Sequence, residues 1–429
     1  MSPRLQPLTP AQASLLEAIR LNNLGEVLNL INAKVSPNFL HSVTQISPIA
    51  LAASMDHWDI AILLLTHGAD PNCSTMGIPT PLEMAAAKGQ VAFIRAVCTQ
   101  PNVIANAGTA LHEAAANGHV DIVTMLLQAG ADVHAMNLEG HDAIHVAAAK
   151  GRNEVIKALL KNGATVDDTA RFQITPLSLA AANGHCQTVK LLLQRGANAK
   201  AHSILGKTAL HEAIRNGHIN CVQELLNWKV NVNTAYSPCE ETPLHEAAAY
   251  GEPKFIELLL EHQANVNAED TPLHSTPVHY AARYGRDEAL KVLLNTPGVN
   301  ARAVDSFGRT ALHDAAAISG SPETIKMLSA RGDVNAIDNL GETALHKALT
   351  RIRRASQASC DIVKALLEEG ADPCLVDKKG KSAFDLAKAT PELHHLLHMK
   401  LSERIQDSSY LLNNIADIVA DFISPRKPK

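Results

Sequence analysis

Residues 109–134 read TALHEAAANGHVDIVTMLLQAGADVH. A Thr-Ala-Leu-His tetrad opens the stretch, and its Thr109 can cap a helix through the side-chain hydroxyl. A short helical run follows and breaks at Asn117-Gly118-His119, where glycine accepts the left-handed conformation that ends a helix. A second helical run, Val120 to Gln128, closes on Ala129-Gly130-Ala131-Asp132. Helix, tight turn, helix and an extended finger are thus all encoded in one short stretch.

The rest of the chain repeats it. Aligned on the first residue of each tetrad, the units begin at Ala13, Ser47, Thr80, Thr109, Asp142, Thr175, Thr208, Thr242, Thr276, Thr310, Thr343 and Ser382. Most successive anchors differ by 33 or 34 residues, with 29 at the third unit and 39 at the eleventh. Such a period specifies a solenoid, in which one unit cannot bury its own apolar face and only stacking makes it stable. The reading is an all-α repeat solenoid of about twelve helix-turn-helix units with hairpin-like fingers. The array is expected over residues 1–397, with a helical tail over 398–429 and one cooperative rod in place of several domains.

Position within the repeat assigns the recurring residues. Pro48, Pro81, Pro176, Pro243 and Pro277 follow the anchor, where a helix tolerates proline. Hydrophobic residues make up 46% of the chain but aromatic residues only 3%, so the core is built from Ala and Leu. A net charge of −5 over 429 residues lacks the basic excess of a nucleic-acid binder. The seven cysteines form no C-x-x-C pair and read as reduced thiols. No run reaches about 18 apolar residues, and residues 1–12 carry no apolar signal region, so a soluble cytoplasmic chain without membrane insertion is expected.

By its tetrads and closures the chain resembles the ankyrin repeat family over roughly residues 12 to 397. The motifs are Thr109-Ala-Leu-His112, Thr208-Ala-Leu-His211, Thr242-Pro-Leu-His245, Thr276-Pro-Val-His279, Thr310-Ala-Leu-His313 and Thr343-Ala-Leu-His346. The resemblance implies L-shaped units in a curved stack whose concave face binds partner proteins, and it implies no chemistry. Several units depart from the pattern. Residues 98–103 of the third unit replace the usual Gly-Ala-Asp closure. Lys229 and Gln263 stand where a finger glycine is expected, which predicts strained turns. The eleventh unit carries six extra residues within Leu349 to Cys360, expected to lengthen its first helix or to loop out of the turn.

Signals for chemistry are sparse. Seven of the 21 histidines sit fourth in a tetrad, and three more, His119, His185 and His218, follow a turn glycine. Repetition at fixed places predicts hydrogen bonding between neighbouring units. His112-Glu113, His211-Glu212 and His245-Glu246 start like a zinc-protease helix but lack the second histidine one turn on. His394, His395 and His398 have helical ligand spacing without a carboxylate pattern. No phosphate loop or nucleophile elbow occurs. The reading is no catalytic residue, no cofactor and no metal. Arg353-Arg354-Ala355-Ser356 has the form of a basophilic kinase site.

Surface positions carry the functional signal. Tyr250 precedes Gly251, and Tyr280, Arg283 and Tyr284 lie along the first helix of the ninth unit, so three of the five tyrosines fall in two adjacent units. Tyr and Arg dominate binding hot spots. The expected contact surface is the groove over units seven to ten, with Arg215, Tyr250, Tyr280, Arg283, Tyr284 and Phe307 as its core. Glu241 and Glu246 sit at its rim, and Arg309, Phe172 and Leu205 on finger tips. These side chains are expected to lie outside the Ala/Leu core. Residues 240–270 hold eight acidic residues and one lysine, and residues 347–381 eight basic and five acidic. That polarity would orient a partner.

The functional expectation is a monomeric, non-catalytic interaction scaffold. One form resembles the ankyrin effectors that intracellular bacteria secrete into the host cytosol, which join a long array to a short C-terminal tail. The alternative is a eukaryotic adaptor that recruits substrates to a ubiquitin ligase, although the tail shows no Leu-Cys-Arg core of a SOCS box. An enzyme with a composite active site is the third reading.

Overall fold

A computed structural model describes residues 8–41, 44–73, 78–100, 108–236, 238–352, 358–388 and 390–406. They contain twenty-four α-helices, two for each of the twelve units. Contacts gather the chain into two compact units, divided between Val230 and Asn231. The first holds the helices from Pro10–Arg20 to Ile219–Asn227, and the second those from Pro243–Tyr250 to Pro391–Gln406.

The anchor residue starts most first helices as its chemistry requires. In the first repeat, however, Thr9 caps Pro10–Arg20 and the anchor Ala13 lies inside it. In the fourth, the helix Gly108–Asn117 already contains Thr109, so the expected Thr109 cap is absent. Ser47, Thr80 and Thr175 accept the backbone N–H three residues on, and proline occupies the first helical position after each. Asp142 does the same work with a carboxylate oxygen, accepting from Ile144 N and His145 N at 3.1 Å each. Behind the caps the first helices bury their alanines against their neighbours. Ala52, Ala85, Ala114, Ala147, Ala180 and Ala213 in the first unit are wholly buried, as are Ala247, Ala281 and Ala315 in the second. Methyl-sized side chains let successive helix layers approach closely, and Leu, Ile and Val from the second helices fill the space between.

Histidine ties consecutive repeats together. In the second unit His245 Nε2 donates to Ser275 O (3.0 Å), His279 Nε2 to Arg309 O (3.1 Å), His313 Nε2 to Glu342 O (3.0 Å) and His346 Nε2 to Lys381 O (3.1 Å). Each Nδ1 accepts from the N–H and hydroxyl of its own capping threonine, as His279 does from Thr276 at 3.1 and 2.9 Å. That pattern fixes the neutral tautomer with the proton on Nε2. The turns add a second tie in the opposite direction: His119, His185 and His218 reach back to Ala87 O, Ala149 O and Ala182 O at 3.0–3.1 Å. Six of the seven tetrad histidines, and the three turn histidines, thus bridge neighbouring repeats as their repetition predicts.

The fingers are short antiparallel bridges, among them His202 with Thr208 and Val304 with Thr310. Asp305, Asp338 and Asp377, each five residues before an anchor, fold the tips by accepting two backbone N–H groups apiece at 2.8–2.9 Å. Lys229 and Gln263, in place of the finger glycine, adopt φ of 53° and 67°, so the expected strained turns are present. Gln263→Gly should therefore raise the stability of the second unit by up to about 1 kcal/mol, by removing the Cβ clash of a left-handed residue. Urea unfolding checks this, and a lower midpoint would mean that the glutamine side chain contributes more than the strain costs.

In the eleventh repeat the first helix is indeed longer, Ala344–Ile352 against Ala311–Ala317 in the tenth. Ser356 and its kinase-like motif lie outside the described residues, as do the shortened closure at 101–107 and the tail stripe from 412 onward. The proposed border at 397/398 falls inside one continuous helix, Pro391–Gln406, which buries Leu393 and Leu397.

Candidate interaction surface

The residues expected to form one contact surface fall into both units. Arg215, Phe172 and Leu205 lie in the first, and the other eight in the second. Arg215 is exposed at the end of the helix Ala209–Arg215. Phe172 (61% exposed) and Leu205 (53%) line an open recess of about 410 Å³ with Ile174, Ser203, Ile204, Lys207 and Glu212. Phe172 stands out at φ 62° and receives a backbone bond on its carbonyl from Ile204 N at 2.9 Å, so neighbouring finger tips are joined.

In the second unit the expected residues divide by depth. Tyr280 does not lie outside the core: it is 7% exposed, and its hydroxyl donates to Asp270 Oδ2 at 2.8 Å. Its ring meets His245 edge-on at 5.0 Å. Burial and the neighbouring carboxylates Glu241 and Asp270 push its phenol pKa well above the ordinary value. The physical reason is positional. Tyr280 is fourth in its helix, one residue past the tetrad histidine, and that turn faces the base of the preceding finger.

Arg283 is likewise held inside. Its guanidinium donates to Asp314 Oδ2 from Nη2 (2.8 Å) and Nε (3.2 Å), and to Ser275 Oγ at 3.1 Å. Burial works against that charge, but Asp314 outweighs it and raises the Arg283 pKa. Arg309 grips Asp305 Oδ2 with Nε at 2.8 Å and Nη2 at 2.6 Å, and it reaches Asp314 Oδ1 at 3.7 Å. Its guanidinium also lies 4.9 Å from the centre of the Phe307 ring. Glu241 and Glu246 are half-buried around the Tyr236 hydroxyl, which donates to Glu241 and lies 3.1 Å from Glu246 Oε1. Three of the eight acidic residues between 240 and 270 thus face tyrosine hydroxyls and do not form an open negative patch.

Of the expected contact residues in the second unit, those left exposed are aromatic. Tyr250 is 44% exposed, Tyr284 49% and Phe307 52%. Tyr250 and Tyr284 occupy the same repeat position, directly before the turn glycine, Tyr250 as the last residue of the helix Pro243–Tyr250 and Tyr284 as the cap that follows the adjacent helix Pro277–Arg283. Each is steadied from beneath, Tyr250 by Phe255 (5.4 Å, edge-on) and Tyr284 by Tyr280 (6.3 Å). Asp270, Asp305 and Asp314, which hold this surface in place, were missed in the sequence. Only the recurrence of aspartate ahead of the tetrads signals the first two.

His394 and His398 pack on one another (4.6 Å) and on Phe384, so their spacing serves an aromatic cluster. Among the described residues no helix is long and apolar enough to cross a membrane.

Comparison with known proteins agrees with this architecture. The family model described as "Ankyrin repeats (3 copies)" matches residues 97–170, 144–236, 228–305 and 278–377, and a single "Ankyrin repeat" matches 45–76. The chain is 38% identical to alpha-latrocrustotoxin-Lt1a of Latrodectus tredecimguttatus over 96 residues, covering 21% of this chain and 7% of the toxin. It is 33% identical to NF-kappa-B inhibitor alpha of Homo sapiens over 108 residues, covering 23% of this chain and 34% of the inhibitor. The solved ankyrin repeat domain of human ASB11 is 33% identical with a TM-score of 0.46, covering 52% of this chain and 96% of that domain. The chain therefore spans only a minor part of the curated relatives' own length. Ankyrin repeats are protein-interaction modules, typically without catalysis of their own. With its family matches extending over well more than half of the sequence, this chain belongs to the ankyrin repeat family.

Proposed function

We propose that this protein is a non-catalytic scaffold whose second unit binds a partner protein through Tyr250 and Tyr284, with Phe307 as an outlying contact. The observation that carries this reading is the pair of half-exposed tyrosines at one repeat position at the ends of adjacent helices. An amphipathic ring fixed at its base loses little entropy on contact and offers both an apolar face and a hydroxyl. Arg283, Tyr280, Arg309, Glu241 and Glu246 act beneath as the framework that fixes the rings. The finger-tip recess at Phe172 and Leu205 in the first unit is the competing surface.

An adaptor role fits best among the scaffolds. Matching relatives include ankyrin repeat and SOCS box protein 3 of Bos taurus (31% identical over 123 residues, 23% of that protein) and cortactin-binding protein 2 of Oryctolagus cuniculus (29% over 116 residues). Both support a recruiting function over the secreted-effector form, for which these relatives supply no support.

Affinity capture from eukaryotic lysate tests the assignment, with wild type compared against Tyr250→Ala/Tyr284→Ala and Phe172→Ala/Leu205→Ala. Truncating a hot-spot tyrosine should weaken binding by about 2 kcal/mol or more, so the tyrosine variant should lose the partner while its melting temperature stays near that of wild type. Loss in the Phe172/Leu205 variant alone would move the site to the finger tips.

A further inference from the structure

The seam between the fourth and fifth repeats gathers a group of side chains that repeat architecture does not require. His134 lies on the finger of the fourth repeat, Asp142 caps the first helix of the fifth, and Asp168 lies on the finger of the fifth. One ligand atom from each lies within 4.8 Å of the other two. His134 Nδ1 is 3.0 Å from Asp168 Oδ2.

Asp142 is the unusual member. Six other tetrads ending in histidine open with threonine, and in five of them its hydroxyl serves the histidine Nδ1. Here a carboxylate stands in that place, 2% exposed. Its Oδ1 is fully engaged by Ile144 N, His145 N and His145 Nδ1 at 2.8–3.1 Å, and Oδ2 receives none of these bonds. His145 in turn is fixed by Ile174 O at 2.9 Å. A ligating carboxylate oriented by outer hydrogen bonds is what a metal site needs. Two carboxylates this close disfavour each other's ionised form, so the pair calls for a shared proton or a bound cation.

We infer that His134, Asp142 and Asp168 form a site for one divalent transition-metal ion of the zinc class, with its remaining positions open to water on the exposed His134 side. An imidazole with two carboxylates suits zinc or manganese better than calcium or a soft copper ion. With tetrahedral metal–ligand bonds of about 2.1 Å, neighbouring ligand atoms sit roughly 3.4 Å apart, so the His134–Asp168 pair at 3.0 Å would open by a few tenths of an ångström to take an ion. His134, half exposed, can turn to close the wider separation. The ion would pin two successive fingers and a helix cap together, so its role is to stiffen this seam.

The test is calorimetric titration of the full chain, stripped with chelator, with zinc chloride. His134→Gln and Asp168→Asn are compared with His394→Gln/His398→Gln as a control for other histidines. Neither test position caps a helix, and metal-free circular dichroism verifies that each variant folds. The expected result is one tight site in wild type and control, weakened at least tenfold in both test variants. No tight zinc binding by wild type overturns the inference, and so does binding within threefold of wild type in both folded test variants. The wild-type melting temperature should also rise with zinc, and that rise should vanish in Asp168→Asn.

Discussion

Arg283→Met should destabilise the second unit by about 3–5 kcal/mol, the cost of stranding a buried charge. The Asp314 side chain has no solvent exposure, and that of Arg283 only 16%. Without the guanidinium, the Asp314 carboxylate would keep only the more distant Arg309 Nη1 at 3.7 Å. Restoring balance should recover much of the loss, so Arg283→Met/Asp314→Leu should be more stable than Arg283→Met alone. Urea unfolding followed by circular dichroism measures both. A loss below about 1 kcal/mol in the single variant would place the pair in the class of solvated surface bridges. The same arithmetic warns against Arg283→Ala as a probe of partner binding, because lost binding would then report lost structure.

Acidification from pH 7.5 to pH 5 should lower the stability of the second unit markedly. His245, His279 and His313 have pKa values depressed below the ordinary 6.5, chiefly by burial. The hydrogen bonds give the structural reason. Nδ1 accepts from a capping N–H and Nε2 already donates to a carbonyl, so a second ring proton would have to displace the cap. A histidine with a depressed folded pKa binds more protons when unfolded. Its stabilising contribution is complete above the unfolded pKa and is lost as pH falls below about 6.5 toward the folded value. The carboxylates held low by ion pairing, Asp305 and Asp338, would begin to protonate only well below this window. Chemical unfolding midpoints at half-unit steps of pH should fall across the window. A flat profile would mean that the tetrad histidines titrate freely.

The sequence discloses whatever the repeat enforces. Caps at Ser47 and Thr175, the strained Gln263 turn and the bridging histidines were all legible, because each answers a local backbone need that recurs every 33 or 34 residues. The depth of a side chain was not. Tyr280 and Tyr284 are four residues apart in one segment and both look like surface aromatics, yet one is buried on Asp270 while the other is half exposed. The difference is set by the preceding finger, and so by a residue ten positions away. The Arg283–Asp314 pair joins residues 31 apart with no pattern to announce it. Asp142 read as an ordinary substitute for threonine, since its meeting with His134 and Asp168 exists only once the fingers are stacked.

The histidine ties also bear on how such a chain can change length. His145 Nε2 needs only a finger carbonyl, which Ile174 O provides immediately before an anchor threonine. Excising residues 175–207 would join Ile174 to Thr208, leaving that carbonyl in place ahead of an intact capping threonine. In the turns, His218 would inherit the Ala149 carbonyl now held by His185. Both histidine ties across the new seam would keep a carbonyl partner. A cut that is not a whole number of repeats would bring a finger carbonyl opposite the wrong atom. The chain can thus gain or lose whole repeats without new junction chemistry, while shifts of a few residues must be absorbed in fingers and turns, the places where the third and eleventh units depart from the period.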